Sequence, residues 1–505
     1  MQENKGKVFF IGAGPGDSGL ITKRGSELLK TAEVLLYDRL ANPMFLLDVP
    51  ESCERILVGK REGEHTVSQE EINRLLVQKA GEGKRVIRLK GGDSFVFGRG
   101  GEEILALEEE EIPYEVIPGV TSAIGALETA GIPVTHRKTA RSFHVITGHT
   151  AEELKEERFA GYAAMEGTLI FLMGIGNLEK IVELLLAFGK AADTPAAIVE
   201  QGTTVRQRRI DGTLGTILER ARRENAKAPA VFVVGEVAAY HMTSGRLPLA
   251  QCRIGVTGTP HMVEALQTAL RELGAQVFGA PFLQIVPTDI LAKKKPEWKT
   301  IDWIVFTSAN GVRQFFEQIH ALHTDVRTLG HIRYAVIGQG TAEELWKYGI
   351  SADYMPACYT VQELAAGLAK KIEKGEKVCI LRAKEGSADI ETVWRQKGID
   401  YEDLAIYETK ADASIVELLW QQASILDYIT FASASGVRSF FGERKDRKTD
   451  SVTYVCIGNK TGEELRKKVT ENEQQKMVAA EVHTIEGIVN KIMECEQEGR
   501  KEEKI

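Results

Sequence analysis

Long apolar runs are missing from this chain of 505 residues: none approaches the roughly 18 residues that a membrane-spanning helix needs. Proline is sparse, 14 residues against 48 glycines, which favours the strand-to-helix turns of α/β architecture over Pro-rich linkers. Cysteine is sparse too. Cys53, Cys252, Cys358, Cys379, Cys456 and Cys495 include no C-x-x-C pair, and scattered cysteines of this kind suit a reducing compartment. The chain has no zinc spacing and no H-E-x-x-H, so no metal centre is expected. It also lacks G-x-x-x-x-G-K-[ST] and G-x-S-x-G, which argues against a P-loop NTPase and a serine esterase. Positive charge is not in excess. The net charge is −8, which argues against nucleic acid as a partner. The polar start and the short apolar stretch Val8–Ile11 do not read as a secretory leader. The expectation is a cytoplasmic protein without a membrane partner.

What is present reads as globular: 43% hydrophobic and 27% charged residues, with length enough for about three to four domains. Short β-branched runs alternate with helical patterns from Val8 onward, the signature of parallel or mixed α/β sheets. The stretch from Thr243 to Pro248 is the best linker candidate. The second half contains a repeat. Ile304–Phe316 recurs as Ile429–Phe441, and Tyr334–Leu345 recurs as Tyr454–Leu465, while the strand at Ile254 matches that at Val378. These offsets, near 120 residues, imply two similar α/β lobes and not a solenoid. The expected division is 1–244, a linker at 245–252, a two-lobed domain at 253–495 and a charged, fraying tail at 496–505.

The turn Gly12-Ala-Gly-Pro-Gly-Asp17 sits where a dinucleotide fingerprint would, with Asp38 at ribose-holding distance along the chain. However, Asp17 brings a carboxylate to where a pyrophosphate should rest, and Pro15 lacks an N–H. The turn could be purely structural, or could serve a cationic, phosphate-free ligand such as S-adenosylmethionine. Gly91-Gly92-Asp93 after a strand allows a ligand close to the backbone, with Arg99 further along the same loop. Basic clusters occur at Lys60-Arg61, at His136-Arg137-Lys138 with Arg141, and at Arg206, Arg208 and Arg209. They are either solvated surface or, if they converge, partners for a polycarboxylate. In the repeat, Ser308 and Asn310 match Ser433 and Ser435 at strand-to-helix turns. Thr341-x-x-Glu344 and Thr461-x-x-Glu464 read as capping boxes. Hydroxyls at such turns either cap a helix or help it hold an anion.

The first ~245 residues resemble the tetrapyrrole methylases, most closely uroporphyrinogen-III C-methyltransferase. The series runs in order through Gly12–Asp17, Leu36–Pro43, Val58–Arg61, His65, Arg88–Asp93, Phe95–Glu103, Pro118–Ala123, Gly131–Arg137, Thr147–His149, Phe171–Gly174, Glu200–Thr203 and Val234–Glu236. The resemblance implies two α/β lobes in a homodimer, with S-adenosyl-L-methionine bound between the lobes and S-adenosyl-L-homocysteine as product. Carried over by position, the cofactor would meet Pro15, Gly91, Gly92, Asp93, Val96, Thr121, Ser122, Met173 and Gly202. The family's acid–base pair falls on Asp38 and Lys60, and Arg61, Arg99, His136 and Arg137 would hold substrate carboxylates. Ser94 stands where the family usually has proline.

Residues 252–495 are similar to uroporphyrinogen-III synthase through Thr307–Val312, Ile337-Gly with Thr341, Tyr407–Thr409 and Ile457-Gly with Thr461. In that family the first strand and the final third form one Rossmann-like lobe and the middle forms the other. The resemblance points to Tyr407 as a possible acid, and to Ser308, Thr341, Ser433 and Thr461 as substrate-binding hydroxyls. The implied activity is bifunctional: closure of hydroxymethylbilane to uroporphyrinogen III, then two C-methylations to precorrin-2, feeding sirohaem or cobalamin synthesis. No separate NAD-binding, chelatase-like module reads from the sequence. The alternatives are a methylase acting on a later corrin intermediate, a bilobal binding module in the second half, and an NAD-dependent enzyme.

Overall fold

Short strands of nearly continuous apolar residues decide the architecture of both halves, because such strands must be covered on both faces. The computed structural model describes residues 5–50, 52–59, 67–148, 156–243, 247–250, 252–385, 389–442 and 452–502. The chain forms two units, Met1–Arg246 and Leu247–Ile505. Each is built on two five-stranded sheets.

In the first unit, β1 (Lys7–Gly12), β2 (Val34–Tyr37), β3 (Glu54–Leu57), β4 (Arg85–Lys90) and β5 (Tyr114–Ile117) form a parallel sheet in the order β3-β2-β4-β1-β5. Alternation sends Phe9, Ile11, Leu35, Ile87 and Leu89 to one core, and Val8, Phe10, Val34, Leu36 and Val86 to the other. The second sheet contains β6 (Phe143–Thr147), β7 (Thr168–Leu172), β8 (Pro195–Glu200), β9 (Arg208–Thr213) and β10 (Ala230–Val234), in the order β6-β7-β10-β8-β9. Only β6 and β7 pair in parallel in this sheet. The helix Ser122–Thr129 packs Ala123, Ala126 and Leu127 onto its β7, β8 and β10 residues.

The second unit weaves its two sheets discontinuously. β11 (Arg253–Thr257) and β12 (Gln276–Ala280) are joined in parallel by β18 (Tyr428–Phe431), β19 (Thr453–Cys456) and β20 (Met477–Ala479) from near the chain's end, in the order β12-β11-β18-β19-β20. The intervening β13 (Leu283–Pro287), β14 (Trp303–Phe306), β15 (Arg333–Val336), β16 (Lys377–Ala383) and β17 (Asp400–Ala411) build the other sheet, β13-β17-β16-β14-β15, in which only β13 runs antiparallel to its neighbour. The repeat is therefore spatial. β12-β11-β18-β19 repeats β17-β16-β14-β15, and the Ile254–Val378 match places β11 and β16 at equivalent positions.

Two expected boundaries shift. The linker expected at 245–252 lies partly inside the second unit: Leu249 is buried in its core, and its N–H donates to Leu273 O at 3.0 Å. Gly245, Arg246 and Gln251 lie outside the described residues. The tail does not begin at 496. The helix Ile485–Glu502 runs on, and Tyr428 OH donates to Glu496 Oε1 at 2.7 Å.

Candidate active sites

Two glycine turns meet at the C-terminal ends of β1 and β4. Ala13 N donates to Lys90 O at 2.7 Å, and Gly14 and Gly92 exchange backbone hydrogen bonds at 3.1 and 2.8 Å. Side chains are excluded here. A Cβ on Gly12 would lie 2.5 Å from Gly119 Cα and 2.8 Å from Gly92 O, and Gly92 itself has φ +68°. The result is a floor of bare backbone at the strand ends, where open α/β sheets receive ligands. Asp17 plays a local part, its side chain accepting from Gly19 N at 2.8 Å. The next α-helix starts only at Lys23, after a short 3-10 turn. The glycine turn after β1 therefore does not run directly into an α-helix N-terminus, as a dinucleotide fingerprint would.

Several of the other expected cofactor residues lie near this floor. Thr121 caps the helix Ser122–Thr129, and the Cβ position of Gly92 lies 3.9 Å from Thr121 Cα. Pro15 packs on Gly125, and Gly202 lies against Ala126 of that helix. Val96 packs on the second sheet's core. Asp17 N donates to Thr203 Oγ1 at 3.0 Å, tying the first turn to the loop after β8. Met173 is 49% exposed at φ +56°, and Gln201 and Thr203 beside Gly202 also have positive φ, at 45° and 69°. Strained non-glycine backbone of this kind concentrates at binding sites. Gly91 stands under Leu40, its Cβ position 3.0 Å from Leu40 Cβ. Asp93 is engaged internally: Oδ1 accepts from Phe95 N at 2.8 Å and Oδ2 from Gly119 N at 2.9 Å. It shapes the loop, and each of its oxygens keeps acceptor capacity beyond these bonds. Ser94 is buried, and its hydroxyl has no hydrogen-bond partner among the described residues.

Asp38 follows β2 and is 29% exposed, with Oδ1 2.8 Å from Arg88 Nη2. Arg88 in turn meets fully buried Glu103, Nε to Oε2 at 3.0 Å, and Lys90 Nζ lies 2.6 Å from Glu103 Oε1. Burial pushes the Glu103 carboxyl up, but Arg88 and Lys90 outweigh it and hold the group below the usual carboxylate range. Burial, with the Arg88 charge, pushes Lys90 down. Sequence reasoning missed Arg88, Lys90 and Glu103 as site residues. The available signal was two cations spaced i, i+2 on one face at the C-terminal end of a buried strand.

The expected anion-binding residues divide. Lys60, Arg61 and His65 lie outside the described residues. Arg99 is solvent-facing and pairs with Glu102 at 2.7 Å, so its expected hold on substrate meets a competing local partner. His136 and Arg137 line an open recess with Thr135, Ala140 and Arg141. His136 Nδ1 lies 3.0 Å from Thr139 Oγ1, which in turn lies 2.9 Å from Tyr240 OH. Arg208 and Arg209 do not join them. Arg208 pairs with Glu200 at 2.5 Å, and Arg209 binds Asp211 and the carbonyls of Ala130, Ala238 and Tyr240.

In the second unit, Ser308 and Ser433 cap the equivalent helices Ala309–Ala321 and Ala434–Phe441, accepting from Gly311 N at 3.0 Å and Gly436 N at 3.1 Å. Ser308 Oγ also lies 2.8 Å from Tyr407 OH. Tyr407 is 4% exposed, and burial pushes its hydroxyl up from the ordinary value while the Ser308 hydrogen bond partly offsets this. The expected capping boxes at Thr341 and Thr461 are corrected. Gly338 and Gly458 are the N-caps, and both threonines sit buried inside their helices. Extended backbone at the glycine starts each helix earlier than the threonine suggests. A capping box does form at Thr470 with Glu473. Rings cover both glycine caps: the Cβ position of Gly338 lies 2.9 Å from the Tyr359 ring, and that of Gly458 lies against His483.

The profile of the tetrapyrrole (corrin/porphyrin) methylases matches residues 7–218, and that of uroporphyrinogen-III synthase HemD matches residues 264–490. The porphyrin biosynthesis protein HemD of Ruminiclostridium josui is 40% identical over 97% of this chain and 98% of its own length. The chain belongs to this HemD family. It joins a methylase module to a synthase module, and both are α/β. The first half is 56% identical to the uroporphyrinogen-III C-methyltransferase of Methanocaldococcus jannaschii, over 46% of this chain and 96% of that protein. It is 49% identical to an S-adenosyl-L-methionine-dependent uroporphyrinogen III methyltransferase of Methanosarcina barkeri, over 48% of this chain and 95% of that protein.

Proposed function

We propose that the second unit closes hydroxymethylbilane to uroporphyrinogen III and that the first methylates this macrocycle twice at carbon, giving precorrin-2. The observation that carries the methylase reading is the half-open carboxylate of Asp38, paired with Arg88 at 2.8 Å at the strand ends of the sheet that bears the glycine floor. The floor suits S-adenosyl-L-methionine. It offers bare backbone at Gly91 and Gly92, hydroxyls at Thr121 and Ser122, and apolar surface at Pro15, Val96 and Met173, with Gly202 keeping the loop after β8 close. When bound, the cofactor supplies an electrophilic methyl group on its sulfonium and leaves as S-adenosyl-L-homocysteine.

C-methylation of a pyrrole leaves a ring cation that must lose a proton. Asp38 is the residue placed to accept it. The basic recess at His136, Arg137 and Arg141 suits the substrate's carboxylates, and Lys60 and Arg61 belong to the same reading by sequence.

In the second unit the chemistry asks less of an acid. Loss of the substrate's hydroxyl gives a cationic azafulvene, so folding the linear substrate for ring closure dominates. Tyr407, with its raised pKa, acts as a neutral hydrogen-bond donor beside Ser308. Ser433, Thr341 and Thr461 frame the equivalent strand ends. We read the protein as a cytoplasmic homodimer, paired through its first unit, with small tetrapyrroles as its partners.

The test is anaerobic incubation with hydroxymethylbilane, with and without S-adenosylmethionine, followed by chromatography and mass spectrometry. The expected products are isomer III without the cofactor and a dimethylated macrocycle with it. Isomer I alone would overturn the synthase reading. Isomer III supplied directly and left unmethylated would overturn the methylase reading.

A further inference from the structure

Behind Asp38 lies a chain of charges that the proposed chemistry does not itself use. Arg88 has no freedom to move. Nε and Nη2 donate to Glu103 at 3.0 and 3.2 Å, Nη1 donates to Leu89 O at 3.4 Å, and Nη2 reaches Asp38. Glu103 Oε1 is saturated as well, since Lys90 Nζ at 2.6 Å and Gln69 Nε2 at 3.2 Å donate to the same oxygen that meets Arg88 Nη2. The groups come from three elements: Arg88 and Lys90 from β4, Glu103 from the helix Gly100–Glu109, and neutral Gln69 from the helix Gln69–Gly81. Glu103 lies in the first turns of its helix, where the helix dipole adds to the stabilisation of an anion. Lys90, Glu103 and Arg88 together carry one net positive charge, all of it buried. Asp38 is the anion that balances it and the one member of the set that reaches solvent.

We infer that Arg88, locked by Glu103 and Lys90, is the positioning residue of the methylation step. It fixes Asp38 Oδ1 and leaves the second carboxylate oxygen to face the substrate. A carboxylate tied at one oxygen cannot rotate away from the proton it must take, and misplacement of a reacting group by about 1 Å costs on the order of 10²-fold in rate. The trio thus sets the orientation of the base. This inference rests on the proposed role of Asp38 in methylation.

The test uses the full chain, with uroporphyrinogen III and S-adenosylmethionine as substrates. Arg88→Met leaves a neutral Lys90–Glu103 pair, so it is the variant chosen to fold; Arg88→Lys restores the charge without the fork. Expected for Arg88→Met is a fall in kcat of roughly 10²-fold. Its KM values and S-adenosylhomocysteine affinity should stay within about threefold of wild type, a small shift on the RT scale. The loss should therefore fall on kcat and not on binding. Arg88→Lys, which can still donate to Asp38, should recover part of the rate. Unchanged kcat in Arg88→Met would overturn the inference. So would activity lost in step with cofactor affinity and melting temperature and not recovered by lysine, which would assign Arg88 to the fold alone. A wild-type chain that does not methylate uroporphyrinogen III marks failure of the underlying functional reading, and the wild-type arm shows that separately.

Discussion

The two units line their candidate sites with different materials. The first places four ionised groups in a row, three of them buried, and ends the row at a half-open carboxylate. The second faces its strand ends with neutral hydroxyls, Ser308 against Tyr407 and Ser433 against Ser435. The difference fits the proposed chemistry. Removing a proton from a methylated ring needs a base whose charge is held in place, and burying that charge is tolerable only when every partner is satisfied. Closing a linear tetrapyrrole needs a shaped surface, and hydroxyls that already cap helices hold their geometry without any charge to desolvate.

Breaking the first unit's floor should have the largest effect. Gly12→Val puts a branched side chain where even a Cβ lies 2.5 Å from Gly119 Cα. The expected outcome is at least about 3 kcal/mol of lost stability in that unit and loss of S-adenosylhomocysteine binding by calorimetry. Isomer III formation by the same chain should persist, because β11 to β20 share no strand with the altered sheet. Loss of both activities together would contradict the division of labour.

Next in size is the contrast between Asp38 and Tyr407. Asp38→Asn should keep cofactor affinity and lose methylation by roughly 10³-fold, the scale of a general base. Tyr407→Phe removes one neutral hydrogen bond, worth about 1 kcal/mol, so synthase turnover should fall by less than about tenfold. A loss in Tyr407→Phe as large as that in Asp38→Asn would make the tyrosine a true acid and erase the contrast.

Acid and alkali should also separate the units. The Glu103 pKa is lower folded than unfolded, so its contribution is complete above its ordinary value of 4.5 and fades as pH falls through the folded value. Tyr334 is the reverse case. Burial pushes it up to about 12 from 10.0, so its contribution is complete below pH 10 and fades between 10 and about 12. All five tryptophans lie in the second unit. Alkali should therefore change tryptophan fluorescence. Emission that stays constant between pH 10 and about 12 would contradict this assignment.

The sequence made the glycine turns legible because backbone constraint is local. Gly12, Gly92 and Asp38 each announce themselves within a few residues of a strand. The repeat also survived into space, as β14-β15 and β18-β19. What was not legible is tertiary. Glu103 meets Arg88 only because the helix Gly100–Glu109 packs beside β4, and no periodicity in either element reports that pairing. Thr341 and Thr461 matched a capping pattern, but an extended glycine three residues earlier had already begun each helix. The tail from 496 is rich in charge, yet one face of its helix is held by Ile488, Val489 and Ile492 in the core, and the helix continues past that anchor.

The smallest expected effect is a gain. Tyr334 is buried against Phe306, their rings stacked with centroids 6.4 Å apart, and its hydroxyl has no hydrogen-bond partner among the described residues. A buried hydroxyl without a partner carries its desolvation cost unrelieved. Tyr334→Phe keeps the ring in the stack and removes that cost, so the second unit should gain about 1 kcal/mol, seen as a higher midpoint in urea followed by tryptophan emission. The same variant should blunt the alkaline transition, because the group whose ionisation opposes folding between pH 10 and about 12 is gone. Since Tyr334 lies in the core and Ser308 and Tyr407 carry the candidate chemistry, isomer III formation should be unchanged. A variant less stable than wild type, with its alkaline transition intact, would show that the hydroxyl contributes to the native state, and the second unit would then depend on a buried polar group as the first does.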